Sequence, residues 1–352
     1  MRFALAMLES GSAEQDIIDG VLLGKSFIPS IWSDISQDSA TLVAEVLKTL
    51  KTTVLAGDRN ITSGVKRRVF NSHSIAQIAS LYTTSSRDTA HRFLLALFAS
   101  SKHGFRCSIE NGVCSGGLAG GGNNSGTINL LTSLQADRYE RPRALLMCML
   151  QACPQLQGPY VTAFPFSLDP QLSLRWVEHA ALLCRVNRQH WAPSAANLAE
   201  HPAARADALA RWTLPRSLTQ SVLSKSLQHS SRLVAYHTLL IIASTLERLK
   251  RVSTALAVSV DGMQNLLPSI QVYIALLQRE SSASHEQSLL LGALIRVVHL
   301  YEVVWPGTLL DAEVDIGKFA SAAGGLAGMA LDARRAMLAL LSHADQNIEC
   351  EC

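Results

Sequence analysis

Aromatic side chains are scarce in this 352-residue sequence, at 6% of the total, and charged residues make up only 17%. The aromatic shortage argues against a sandwich or barrel, whose strands draw on Tyr, Phe and Trp. The low charge stands beside 48% hydrophobic residues, which is enough apolar surface to bury a large core and argues against disorder. An excess of one sign of charge is also missing. The formal net charge is +3, well short of a dedicated nucleic-acid-binding domain, so any such contact has to come from local clusters.

Paired cysteines are absent as well. Seven cysteines (107, 114, 148, 153, 184, 350 and 352) form no CxxC pair and have no His or Cys partner at zinc-finger spacing. Most lie among apolar helical residues, where a free thiol acts as a small core hydrophobe, and a reduced intracellular compartment fits best. No long run is free of charge. The most apolar stretch, Leu289–Trp305, carries Arg296, His299 and Glu302, so it reads as a buried helix in a soluble protein with no membrane partner. The opening MRFALAML is too short for a secretory signal.

What the sequence has is helical periodicity. SDISQDSATLVAEVLKTLKTTVLAG puts Leu42, Val43, Val46, Leu47, Leu50 and Val54 on one stripe, with Gly57 as a stop. RDTAHRFLLALFASSKHG repeats the pattern with Phe93, Leu94, Leu97 and Phe98, with Asp88 as N-cap and Gly104 as terminator. Ala235, Leu239, Ile242, Leu246 and Leu249 form a third stripe at spacings of four and three. Pro268 bends or breaks the helix in MQNLLPSIQVYIALLQRE. No window of similar length alternates like a strand.

The fold class read from this is all-α, an irregular armadillo/HEAT-like α-solenoid in which helical pairs bury their faces on the next pair. Residues 1–320 form the solenoid region, with a flexible Gly-rich loop at 110–126, and 321–352 a short C-terminal helix and frayed tail. Between two helical stretches lies CPQLQGPYVTAFPFSLDP (Cys153–Pro170), with four prolines and three aromatics. Pro154 and Pro159 break the helix there, and Tyr160, Phe164 and Phe166 pack an extended connector onto neighbouring helices.

Chemistry-bearing motifs are few. The Gly-rich loop lacks the Gly-Lys-Ser/Thr of a phosphate-binding loop and follows no strand. Eleven histidines never fall in a HExxH pattern, and no GxSxG, kinase set or constrained carboxylate pair appears. The sequence therefore reads as a non-enzyme with no metal, no cofactor and no small-molecule substrate. Three basic clusters stand out: Lys66, Arg67 and Arg68; Arg138, Arg141 and Arg143 around Tyr139; and Arg248, Lys250 and Arg251. In the first two, phosphate contacts, with Tyr139 stacked on an unpaired base, compete evenly with a solvated helix end. The third reads as a solvated helix C-terminus.

The order of several blocks resembles one family. RRVFNSHSIAQIASLY (67–82) and HRFLLALFASSKHGF (91–105) resemble the N-terminal region of the nucleolar pre-ribosomal-associated protein 1 family. The Cys153–Pro170 stretch with Trp176 after it, HTLLIIASTLERL (237–249), LPSIQVYIALLQR, LIRVVHLYEVVWPG and VDIGKF resemble later blocks of that family. The resemblance spans roughly residues 40–320, and the Gly-rich loop falls where the family has a variable linker. It implies a nucleolar factor in early assembly of the large (60S) ribosomal subunit. Such a factor is a helical scaffold on pre-ribosomal RNA and large-subunit assembly factors, supporting pre-rRNA processing and folding. The rival reading is a general α-solenoid adaptor that binds protein partners without touching RNA.

Overall fold

The computed structural model describes residues 27–55, 61–99, 109–110, 113–114, 125–189, 212–256, 260–282, 289–312 and 334–341, with a few isolated positions before residue 27. Gly57, Gly104, VDIGKF, Cys107, Cys350 and Cys352 lie outside the described residues, as does most of the Gly-rich stretch. The chain forms two compact units, 1–156 and 157–352. Their boundary falls inside the proline-rich stretch. Apart from one two-residue ladder, the described residues form no strands, and the all-α expectation holds.

In the first unit, α1 is Phe27–Trp32 and α2 is Ala40–Leu50. The Ser39 hydroxyl caps α2 by accepting from the Leu42 amide at 3.3 Å, and Val43, Val46, Leu47 and Leu50 are buried. The helix then widens into a single π turn, Lys51–Leu55. There Thr52 Oγ1 donates to the Lys48 carbonyl at 3.1 Å and Thr53 Oγ1 to the Thr49 carbonyl at 2.6 Å. Threonine hydroxyls competing for i−4 carbonyls distort a helix in this way, and the turn keeps Val54 and Leu55 buried.

Next come α3 (Ser63–Val69), capped by Thr62, and α4 (Ser72–Ser80), capped by Asn71. Both caps are residues whose short side chains satisfy first-turn amides. Helix α5 is Arg87–Ala99, with Phe93, Leu94, Leu97 and Phe98 all buried. The expected N-cap at Asp88 is corrected: Asp88 lies inside the first turn, and the Ser86 carbonyl accepts the first helical bond, from Ala90 at 3.0 Å. Strands β1 (Ile109–Glu110) and β2 (Val113–Cys114) pair antiparallel. Helix α6 is Ser125–Ser133 and α7 is Glu140–Ala152. The stretch expected to be loop over 110–126 thus begins in a ladder and ends in the first turn of α6. Helix α5 is the hub, packed on α2, α4 and α7.

In the second unit, α8 is Gln157–Thr162, α9 Leu174–Arg188, α10 Gln220–Leu227 and α11 Arg232–Leu256. Helices α12 (Ile270–Ser282), α13 (Leu289–Val304) and α14 (Thr308–Asp311) follow. The extended-connector expectation is corrected over its first half. Pro154–Leu156 is a 3₁₀ turn, and Tyr160 sits in α8 and is fully buried. Proline is tolerated in the first turn of a helix because the missing amide has no partner there, so Pro159 fits inside α8. From Ala163 to Ser173 the chain is non-helical. Phe164 meets Phe166 edge-on at 5.4 Å, and Phe166 stacks on His179 at 4.7 Å. The break at Pro268 is also present, between a 3₁₀ turn at Asp261–Leu266 and α12.

Helix α11 is the core of this unit. Residues 241–246 are buried on every side, the pattern of an internal helix. Trp176 touches His237 near the starts of α9 and α11, while Asn187 meets Arg248 near their ends, so the two run parallel. Glu247 pairs with Arg296, and Trp305 Nε1 donates to the Val260 carbonyl at 3.3 Å. By the same reasoning α13 runs parallel to α11. Helix α12 is antiparallel to α13, since Tyr273, near its start, meets Tyr301, near the end of α13.

The free thiols Cys153 and Cys184 are buried, and burial pushes the Cys184 thiol up to about 11. No described helix is long and apolar enough to cross a membrane.

Candidate nucleic-acid interface

The first cluster rides on α3. Arg68 is exposed and Lys66 half-exposed. Asn71 Nδ2 donates to the Arg68 carbonyl at 3.1 Å, fixing the turn that ends the helix. The side chain of Arg67 lies outside the described residues. The neighbouring aromatic, Phe70, is fully buried and meets Phe93 of α5 at 5.6 Å. Helix α3 therefore presents charge without an exposed ring.

The second cluster opens α7. A tight turn places it: the Arg138 and Tyr139 amides both donate to the Gln135 carbonyl, at 3.2 and 3.1 Å. Tyr139 occupies the N-cap position in extended backbone and is 52% exposed. Arg138 is exposed, with Nε 3.9 Å from the buried Asp137 carboxylate. Arg141 is committed elsewhere, in an ion pair with Asp88 of α5. Arg143 is half-buried. Of the four residues read from sequence, Arg138 and Tyr139 are the most exposed.

The Asp88–Arg141 pair sets the first turns of α5 and α7 side by side. It brings in two cations that the sequence reading missed, Arg87 and Arg92, both exposed. Arg92 Nε reaches back to the Asp88 carbonyl at 3.4 Å, so its guanidinium lies over the first turn. Their signal was position beside Asp88, one residue before it and one helical turn after it. Beneath them, the Tyr82 hydroxyl and His91 Nδ1 are 2.9 Å apart. Burial raises the Tyr82 pKa, against the nearby Arg141 charge. Burial chiefly lowers that of His91, Arg141 adds to the fall and Asp88 opposes it. Among the described residues, α3 is not one of the elements packed closely on α7.

The third cluster is not a solvated helix end. It lies within α11, and Arg248 is 1% exposed. Its Nη1 donates to Asn187 Oδ1 at 3.2 Å, and burial, with Arg251 nearby, lowers its pKa to about 9. Arg251 donates to the carbonyls of Asn187 at 2.6 Å, Gln189 at 3.0 Å and Arg188 at 3.3 Å. Those carbonyls are left open by the end of α9, and the favourable charge there is positive. Lys250 alone of the three is exposed.

Among the described residues, no cluster of three His, Cys, Asp or Glu side chains could hold a metal ion. The fold is that of an all-α protein whose candidate functional chemistry is cationic. Residues 1–179 match the family described as Npa1, ribosome 60S biogenesis N-terminal, and the chain belongs to that family. It is 31% identical over 209 residues to nucleolar pre-ribosomal-associated protein 1 of Mus musculus, and equally to that of Homo sapiens. Each alignment covers 53% of this chain and 9% of the relative, so the chain spans only a small part of those proteins. No solved structure matches.

Proposed function

We propose that this chain acts in assembly of the large ribosomal subunit in the nucleolus, as a non-catalytic helical scaffold on pre-ribosomal RNA and assembly factors. There it supports the processing and folding of that RNA. The observation that carries the reading is the family match over residues 1–179, which takes in the whole first unit with the first two basic clusters. Contacts to RNA come from Lys66, Arg67 and Arg68 on α3 and from Arg138 and Tyr139 in the turn before α7, while Arg141 is held by Asp88 and Arg143 is half-buried. The parallel run of α9, α11 and α13, with α12 reversed beside α13, supports an armadillo/HEAT-like stacking of helical pairs. A tagged chain is expected to sediment with large-subunit precursors and to leave them after RNase treatment.

A second reading, an adaptor for protein partners without RNA contact, is favoured by one observation. Leu172 and Leu174 are 64% and 76% exposed at the start of α9, beside the parallel start of α11 where Leu233 is 47% exposed. Apolar side chains gathered at one end of a helical unit suit a protein surface. Sedimentation that survives RNase would favour this second reading.

A further inference from the structure

We propose that the paired first turns of α5 and α7 form a binding surface for single-stranded RNA, with Arg87, Arg92 and Arg138 on phosphates and one unpaired base stacked on Tyr139. This rests on the RNA-scaffold reading and narrows it to one surface and one form of RNA. The surface is composite. Arg87 and Arg92 come from α5 and Arg138 and Tyr139 from the turn before α7, joined by the Asp88–Arg141 ion pair. Two carboxylates near this surface are exposed, Asp88, which is paired with Arg141, and Glu140, while Asp137 is buried beside Arg138.

The partner follows from what the face offers. Exposed arginines bind phosphate without reading sequence. A half-exposed Tyr ring on a turn held by two backbone hydrogen bonds to the Gln135 carbonyl is a ready stacking platform, and only an unpaired base can present its face to it. Duplex RNA would meet the charges and leave the ring unused. The α3 cluster differs, because its adjacent ring is buried.

The test is fluorescence anisotropy of the full chain with a short labelled oligouridine, a duplex RNA of equal charge, and polyglutamate. Oligouridine is expected to bind most tightly. Arg87→Gln/Arg92→Gln/Arg138→Gln should reduce the slope of log affinity against log salt by about 2, at roughly 0.7 per phosphate contact. Tyr139→Ala should weaken oligouridine binding on the order of ten-fold, and Tyr139→Phe should restore most of the loss. Thermal melts matching the parent would confirm that these surface variants fold. Equal binding of polyglutamate, an unchanged slope in the triple variant, or parental affinity in Tyr139→Ala would each overturn the proposal. If the parent sediments with large-subunit precursors yet binds no oligouridine, this surface fails and the scaffold reading stands. If it does neither, both fail.

Discussion

Gly158→Ala should destabilise the second unit even though alanine is the better helix former. A Cβ at Gly158 would lie 2.5 Å from Trp212 Cγ, 2.7 Å from Cδ1 and 2.9 Å from Cδ2. Side-chain carbons do not approach that closely, so the indole or the α8 backbone has to move. The helix-propensity gain is at most about 1 kcal/mol, and less in the first turn of a six-residue helix. Overpacking a buried site costs about 1–3 kcal/mol, so the net loss is about 1–2 kcal/mol. In a unit of this size that corresponds to a fall in Tm of roughly 3–6 °C. The assay is urea denaturation followed by far-ultraviolet circular dichroism, read as a lower midpoint at unchanged slope. In a Trp212→Leu background the same substitution should cost less, with a coupling of about 1 kcal/mol. A Gly158→Ala protein as stable as its parent, or more stable, would refute the close approach of the indole to α8.

Trp176→Ala should cost about 3–5 kcal/mol, because the ring is 4% exposed and Nε1 donates to the Leu168 carbonyl at 3.2 Å; Trp176→Phe should cost about 1–2 kcal/mol by denaturant titration. Phe166→Ala should cost less than Trp176→Ala, since Phe166 is half-exposed and its main partner is the His179 ring. Gly307→Ala should lose about 1–2 kcal/mol in the same titration, because φ is +89° where the amides of Gly307 and Leu309 donate to the Glu302 carboxylate. His91 has a pKa below 6.5 in the folded chain, mainly through burial. The unfolded chain therefore binds the proton more readily, and this share of stability is lost as pH falls below about 6.5. Unfolding midpoints taken on either side of that pH should differ less in His91→Gln than in the parent.

The helices were legible because each buries a local stripe and most begin at a short polar residue. Ser39, Thr62, Asn71, Ser173 and Thr219 each accept from an amide three residues on, and such caps can be read from neighbouring letters alone. Asp88 shows the limit. It looked like a cap by type, but its carboxylate is held by Arg141, a partner supplied by another helix. The connector after Cys153 was half legible. Proline marks a break, yet it also suits a first turn, and Tyr160 is drawn into α8 by burial that no local pattern records.

The basic clusters divide for the same reason. Arg248 and Arg251 looked outward because they end a run of charges, ERLKR. Their partners on α9 lie about sixty residues back, beyond any periodicity argument. A helix end leaves several carbonyls open, and a guanidinium has five donors with which to meet them, so an arginine packed beside such an end is consumed by the fold. Arg141 is consumed in the same way by a carboxylate. Arg87 and Arg92, in the N-terminal half of α5, and Arg138, in the turn before α7, are exposed, and among the described residues no other element supplies them with an open helix end. On that reasoning what a neighbouring element offers a cation, an open carbonyl or a carboxylate, says more about its availability to RNA than the density of charges around it.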